Sequence, residues 1–225
     1  MLRQSIRTVV RSLIGGGALL GGVAMLSPPL AAQDDVANSK HNMSTRSGLT
    51  NYGEVCVYCH TPHGGQTQNA PLWNRNFSTA SYQMYNNTYS STIDMTVDPA
   101  PTGVSLACLS CHDGTVGLDV IINRPNASPT LVPSGNTMPA EDPGNQFFAN
   151  LGTDLRNDHP ISVSYSTAAD PAFNPVTAGK VNGELPLYLG KVQCGTCHNP
   201  HNTTNAPFLR KSNSGSALCK TCHIK

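Results

Sequence analysis

Residues 194–223 read CGTCHNPHNTTNAPFLRKSNSGSALCKTCH, and the pattern Cys-x-x-Cys-His stands at both ends of this stretch. The pattern occurs twice more, at 56–60 and 108–112, and its four copies use all eight cysteines of the chain. Two thiols at this spacing add to the vinyl groups of a haem, and the histidine that follows becomes the proximal ligand of the iron. The predicted attachment residues are Cys56, Cys59, Cys108, Cys111, Cys194, Cys197, Cys219 and Cys222, and the predicted proximal ligands are His60, His112, His198 and His223. The sequence therefore predicts four covalently bound haem c groups.

Three other uses of paired cysteines explain less of this pattern. A disulfide framework, common in exported proteins, does not require a histidine after each pair. A structural zinc site does not require that histidine at one fixed place in four copies. A redox-active Cys-x-x-Cys pair is expected in a βαβ setting, of which the sequence shows no sign. Haem attachment is the interpretation that accounts for all four copies.

The histidine count matches the number of axial positions on four irons. Of the eight histidines, four are the proximal ones, and the remaining four are His41, His63, His159 and His201. Four haems with two axial ligands each need eight ligands, so the sequence predicts bis-histidine ligation at every iron. The methionines that offer an alternative axial ligand are Met43, Met84, Met95 and Met138. Because axial methionine raises the reduction potential, bis-histidine haems are expected at the lower end of the range.

The order of motifs repeats once along the chain, which indicates two dihaem modules. Each half contains a lone histidine, then Cys-x-x-Cys-His-x-Pro-His, then Asn-Ala-Pro with apolar residues, then a second Cys-x-x-Cys-His. The lone histidines are His41 and His159, and the Asn-Ala-Pro segments are 69–71 and 205–207. We assign residues 33–150 to the first module and 151–225 to the second.

The short spacing within His-x-Pro-His limits which iron the second histidine can reach. His63 lies three residues after His60, and residues this close emerge on the same side of a short helix. The sixth ligand must approach from the opposite haem face, so we expect His63 to serve the haem of Cys108 and Cys111. The same reasoning assigns His201 to the haem of Cys219 and Cys222. His41 and His159 then remain for the haems of His60 and His198, in an order that the spacing leaves open.

The first 32 residues have the features of a cleaved secretory signal peptide. Arg3, Arg7 and Arg11 precede an apolar stretch from Leu13 to Leu26, and small residues end the segment at Ala31-Ala32. The apolar stretch is shorter than the roughly 20 residues that span a bilayer. Removal of these three arginines changes 14 basic against 13 acidic residues to 11 against 13. A mature chain near −2 does not favour nucleic acid binding, and we expect an exported protein without a membrane span.

Composition predicts little regular secondary structure. Gly and Pro together number 37, from 20 Gly and 17 Pro, and such residues favour turns. We expect a mostly irregular multihaem cytochrome c fold with a core dominated by haem, a few short helices and minimal strand. Helices are predicted over 106–112 and 216–223, a strand over 187–192, and a loop over 124–147.

The stretch CVYCHTPH at 56–63, followed by APLWNR at 70–75 and doubled in motif order, resembles the doubled CXXCH multihaem cytochromes. More narrowly, it is similar to the extracellular tetrahaem cytochromes that polymerise into filaments, the OmcE-like nanowire cytochromes. The resemblance covers residue 41 to the C-terminus. It implies bis-histidine haems in a continuous row and a head-to-tail filament. It also implies that His41 ligates the haem of His198 in the adjacent subunit, which leaves His159 for the haem of His60.

Two classes of function are compatible with the motifs. A reductase keeps one iron open for substrate, whereas this chain has enough histidines to close all four, which favours an electron carrier that is not an enzyme. Its partners are then other redox proteins or extracellular electron acceptors. Within the carriers, the alternative to an extracellular filament is a monomeric periplasmic shuttle.

Overall fold

The computed structural model describes residues 35–125, 130–140 and 149–224, all within a compact unit that spans residues 33–225. The predicted signal peptide, residues 1–32, lies outside the described residues. Among the residues that are described, no helix is both long and apolar enough to cross a membrane.

The helices are short, and each Cys-x-x-Cys-His motif begins in one. The α-helices are α1 Val104–His112, α2 Cys194–Cys197 and α3 Ala217–Cys222, and the 3₁₀ turns are Met43–Thr45, Cys56–Tyr58 and Ser214–Ser216. Residues three apart on a helical turn are neighbours. The helical turns therefore place the two cysteines of each motif on one side of the chain, as attachment to one haem requires.

The strands of the described residues are each two residues long and form three small sheets. Parallel strands β1 Gln83–Met84 and β2 Asp154–Leu155 pair with each other, and β3 Val163–Ser164 pairs antiparallel with β7 Lys191–Val192. The strands β4 Val176–Thr177, β5 Lys180–Val181 and β6 Leu185–Pro186 form an antiparallel sheet in that order. Because β1 lies in the first predicted module and β2 in the second, their pairing joins the two halves of the repeat.

Three small apolar clusters replace a single continuous core in the described part of the chain. Their buried members are Met43, Tyr52, Tyr58 and Ile121 in the first, Met84, Leu109 and Leu155 in the second, and Met95, Val163 and Val192 in the third. Three of the four methionines considered as axial ligands thus pack against aliphatic and aromatic side chains. This packing favours histidine over methionine as the second ligand.

A buried carboxylate anchors the described part of the predicted 124–147 loop. Asp119 is fully buried, and it accepts hydrogen bonds from the backbone N–H groups of Thr50 at 2.8 Å, Ser134 at 2.7 Å and Gly135 at 3.1 Å. Burial acts to raise the pKa of Asp119, but these hydrogen bonds outweigh it and lower the pKa to about 2. The loop is therefore tied to the segment that precedes the first haem motif. The described residues of 124–147 contain no helix or strand.

Two predicted helices are present, whereas the predicted strand is shortened by a turn. Helix α1 includes the whole of 106–112, and α3 lies inside 216–223. Of 187–192, only Lys191–Val192 forms a strand. Leu189 and Gly190 have φ angles of +52° and +76°, and two successive left-handed residues close a tight turn that an extended strand cannot contain.

Candidate haem sites

A backbone carbonyl orients at least three of the proximal histidines. The Nδ1 atom of His60 lies 2.8 Å from the Pro71 carbonyl, that of His112 lies 2.6 Å from Ala149, and that of His198 lies 3.0 Å from Pro207. Nδ1–H donates to each carbonyl, and this hydrogen bond leaves Nε2 as the unprotonated nitrogen that ligates a metal. The three rings are therefore prepared as iron ligands.

These contacts give the Asn-Ala-Pro segments a role that the sequence did not reveal. Pro71 and Pro207 occupy equivalent places in the repeat, and each carbonyl accepts from the proximal histidine of its own module. The backbone around them is held by matching hydrogen bonds in both halves. In the first half, Thr61 N donates to Leu72 O at 2.9 Å and Asn74 N donates to Cys59 O at 2.8 Å. In the second half, Asn199 N donates to Phe208 O and Arg210 N donates to Cys197 O, both at 2.8 Å. The internal repeat is thus a repeat of structure at the first haem motif of each half.

Six histidines form three pairs with ring centroids slightly more than 6 Å apart. The ring centroids lie 6.1 Å apart for His41 and His112, 6.1 Å for His60 and His201, and 6.4 Å for His159 and His223. Two imidazoles on opposite sides of one metal, each with a bond of about 2 Å, have centroids about 6 Å apart. Each pair joins one proximal and one distal histidine, so the three pairs fit bis-histidine haem.

This pairing differs from the assignment of the distal histidines that spacing and resemblance suggest. The His41 ring lies 6.1 Å from the His112 ring of its own chain, at the position expected for His63. The His201 ring lies near His60, and the His159 ring lies near His223. The expectation had instead given His201 to the haem of His223 and His159 to the haem of His60. The expectation relied on proximity along the chain, whereas the loop 198–201 of the second module packs beside the first haem motif. His60 is paired with His201 and not with His63, as the short spacing between His60 and His63 predicts.

His63 and His198 are left outside the three pairs. Among the described residues, the His63 ring makes no hydrogen bond or ring contact, and its side chain is exposed. The exposed His198 has the Pro207 carbonyl on Nδ1 but faces no second histidine ring at ligand spacing. One proximal and one distal ligand therefore have no opposite partner within the described chain.

The second module holds His41 in place. Its Nδ1 lies 3.3 Å from the Pro200 carbonyl, and its ring stacks on Phe208 with centroids 4.3 Å apart. Burial lowers the pKa of His41, and burial also lowers the pKa of His112 opposite it. Both rings are thus held in the neutral form that a metal ligand needs.

Thiols of successive motifs lie close enough to affect one another's pKa. Burial, with a smaller effect from neighbouring Cys111, raises the pKa of the Cys59 thiol to about 12. Neighbouring Cys194 likewise raises the pKa of Cys108, and Cys219 adds to the effect of burial on Cys197. All eight cysteines are free thiols, so all are available for thioether bonds.

An apolar cavity of about 320 Å³ opens beside the first motif. Its lining consists of Cys56, His60, Thr61, Pro62, Pro71 and Leu72. The cavity combines an attachment thiol, a proximal ligand and apolar walls, which is the chemistry that a haem edge requires.

The family comparison agrees with the chemistry of these residues. A family model of the doubled CXXCH motif matches residues 189–225, and no curated protein matches the chain. The motif indicates covalently bound haem c and a multihaem c-type cytochrome that takes part in electron transfer. The matched stretch is the one that contains His198, His201 and His223.

Proposed function

We propose that this protein is an exported tetrahaem cytochrome that conducts electrons along a row of four bis-histidine haems and polymerises head to tail into an extracellular filament. The observation that carries the proposal is the set of three histidine pairs at the spacing of two ligands on one iron. The chain supplies the eight thiols, the axial imidazoles and the carbonyls that orient them. The bound haem supplies the one-electron redox chemistry.

Bis-histidine ligation favours electron transfer over catalysis on a bound substrate. A reductase that binds its substrate at iron needs an open axial position, and paired imidazoles fill both positions. The orienting carbonyls of Pro71 and Ala149 also fix the proximal rings, which limits reorganisation when the iron changes oxidation state. These features support a carrier in which the chain holds each haem and excludes competing ligands.

The two unpaired histidines support assembly between subunits. Both His63 and His198 have exposed rings. If His63 of one subunit faces His198 of the next, every iron in the interior of a chain of subunits has two histidine ligands. Such a contact is heterologous, because different surfaces meet, and heterologous contacts that do not close produce open filaments. In this proposal His63 takes the place across the interface that the resemblance had given to His41.

Negative-stain electron microscopy of the full, haem-loaded protein tests the filament. Long filaments of uniform width are the expected result. Dispersed single particles across a range of salt and protein concentrations would contradict the filament and leave a monomeric shuttle. Mass spectrometry of the same sample counts the attached haems, and any number other than four would contradict the tetrahaem part.

A further inference from the structure

Arg75 is a buried cation whose hydrogen-bond partners are all neutral. The side chain is fully buried. Its Nε donates to Ser110 Oγ at 3.3 Å, Nη1 to the Leu118 carbonyl at 2.7 Å, and Nη2 to the carbonyls of Ser110 at 2.9 Å and Gly117 at 2.7 Å. These bonds use four of the five N–H groups of the guanidinium. At most one N–H remains for a haem propionate, so Arg75 is a fixed charge and not a propionate clamp.

The charge of Arg75 lies between the first two haem motifs. Ser110, which accepts two of its hydrogen bonds, stands between Cys108 and Cys111. On the other side, the neighbouring Asn74 donates its backbone N–H to the Cys59 carbonyl at 2.8 Å. Among the described residues, Arg75 forms no ion pair with a carboxylate. The buried carboxylate of Asp119, one residue beyond Leu118, is held instead by backbone N–H groups and does not contact Arg75.

The repeat supplies an internal comparison in Lys211. Lys211 lies at the same distance after Pro207 as Arg75 lies after Pro71. Lys211 donates to Thr221 at 3.2 Å, and Thr221 is the third residue of its haem motif, as Ser110 is in the motif that Arg75 contacts. The Lys211 side chain, however, keeps 34% of its surface exposed and pairs with Glu184 at 2.6 Å. The duplicated cation is thus buried and unpaired in the first module but hydrated and paired in the second.

Two other charges near the motifs, Asp113 and Arg210, do not cancel the difference between buried Arg75 and hydrated Lys211. Burial raises the pKa of the Cys111 thiol, Arg75 lowers it, and Asp113 acts against Arg75 with a smaller effect. In the second module, Arg210 donates to the Gly195 carbonyl at 2.6 Å. Arg210 is exposed, and water and salt screen an exposed charge far more than a buried one.

We infer that Arg75 raises the reduction potentials of the haems at 56–60 and 108–112 above those of the haems at 194–198 and 219–223. Reduction adds one electron to a ferric haem and lowers its charge by one, with no bond made or broken. A fixed positive charge in a medium of low dielectric constant favours the reduced form. Electrons then reside preferentially on the haems of the first module, so electron transfer within each subunit has a preferred direction. The inference rests on haem attachment at all four motifs and not on filament formation.

Redox titration of the full, haem-loaded protein, followed by optical and EPR spectra, tests the role of Arg75. The Arg75→Gln variant removes the charge, and we expect the two highest midpoint potentials to shift downward while the two lowest stay in place. Arg75→Lys keeps the charge but loses the planar fork, so it controls for structural disturbance. We expect its potentials to stay near those of the wild type. Equal downward shifts in both variants, or no shift in Arg75→Gln, would overturn the inference.

A second variant at the same position keeps the test decisive if Arg75→Gln yields no loaded protein. Arg75→Leu also removes the charge and introduces no group that could ligate iron, and we expect the same downward shift of the two highest midpoint potentials. Unchanged potentials in Arg75→Leu would overturn the inference. Counting the attached haems by mass spectrometry separates either result from a failure of the proposed tetrahaem function.

Discussion

At the scale of single residues, backbone carbonyls prepare imidazole rings for iron. His60, His112 and His198 each have Nδ1 within 3.0 Å of a carbonyl oxygen, and a backbone acceptor is retained whatever side chain its residue carries. Two of the three acceptors belong to prolines. Since proline fixes its own φ angle, only its ψ angle remains free to change the direction of its carbonyl. The orientation of these ligands is consequently built into the chain before haem arrives.

A single carboxylate, Asp119, should make the free energy of unfolding depend on pH in the acid range. An aspartate in the unfolded chain has a pKa of about 3.9, whereas hydrogen bonds to backbone N–H groups overcome burial and lower the folded pKa to about 2. The stabilisation is therefore complete above about pH 4 and is lost as pH falls towards 2. We expect Asp119→Asn to reduce the free energy of unfolding at pH 7 by about 2 kcal/mol, with a smaller difference from the wild type at pH 2.

Denaturant unfolding of the haem-loaded protein across this pH range measures the difference. Asp94→Asn serves as the control, because Asp94 is exposed and its side chain makes no hydrogen bond with the described residues. A constant difference between Asp119→Asn and wild type from pH 7 to pH 2 would contradict the assigned role of Asp119.

At the scale of elements, the turn that carries Pro71 packs against a glycine. A Cβ atom added at Gly65 would lie 2.7 Å from the carbonyl carbon of Leu72, 2.8 Å from its oxygen and 2.9 Å from Thr61 Cγ2. Two of these neighbours are backbone atoms, which cannot rotate away. We expect Gly65→Ala to displace the segment that orients His60, to destabilise the protein by about 1 to 3 kcal/mol, and to give one haem a high-spin fraction.

Optical and EPR spectra of the oxidised protein detect that fraction. Thr67→Ala, an exposed position two residues away, is the matched control and should retain wild-type spectra. Purely low-spin spectra in Gly65→Ala would show that the Pro71 carbonyl does not depend on this close approach.

Helices α1 and α2 are joined through one buried hydroxyl. Ser105 Oγ donates to Gln193 Oε1 at 2.5 Å and accepts from the Cys194 backbone N–H at 3.0 Å. Ser105→Ala leaves that partly buried N–H without this partner and removes the buried hydrogen bond to Gln193, so we expect a loss of about 1 to 3 kcal/mol in the free energy of unfolding. Denaturant titration measures it, with Ser214→Ala at an exposed site as the control. Equal stability of the two variants would mean that Ser105 does not couple the second and third motifs.

At the scale of the whole molecule, the described polypeptide has three small clusters where a protein of this size usually has one continuous core. Four macrocycles bound along the row of motifs would supply the missing apolar volume. The two modules are also interleaved, since β1 pairs with β2 and the loop 198–201 reaches the first motif. The repeat in sequence is therefore not a pair of independent domains in space.

The proposed filament makes opposite predictions for two histidines. His63→Ala should leave four attached haems, produce one high-spin site and prevent filament growth, because its ring is assigned to the next subunit. His41→Ala should also produce one high-spin site but leave assembly intact, because His41 faces His112 within the same chain. Electron microscopy and EPR of the two purified variants compare them. Filaments in His63→Ala and dispersed particles in His41→Ala would return the crossing ligand to His41.

The sequence by itself determined the cofactor chemistry, because thioether attachment and proximal ligation depend on residues within five consecutive positions. It also determined that enough histidines exist for eight axial ligands and that the motif order is doubled. Only the tertiary structure showed which histidine rings lie near one another, since His41 and His112 are 71 residues apart in the chain and His60 and His201 are 141 apart. It alone showed that Arg75 is buried while Lys211 is hydrated. Both outcomes depend on long-range packing, which local spacing does not encode.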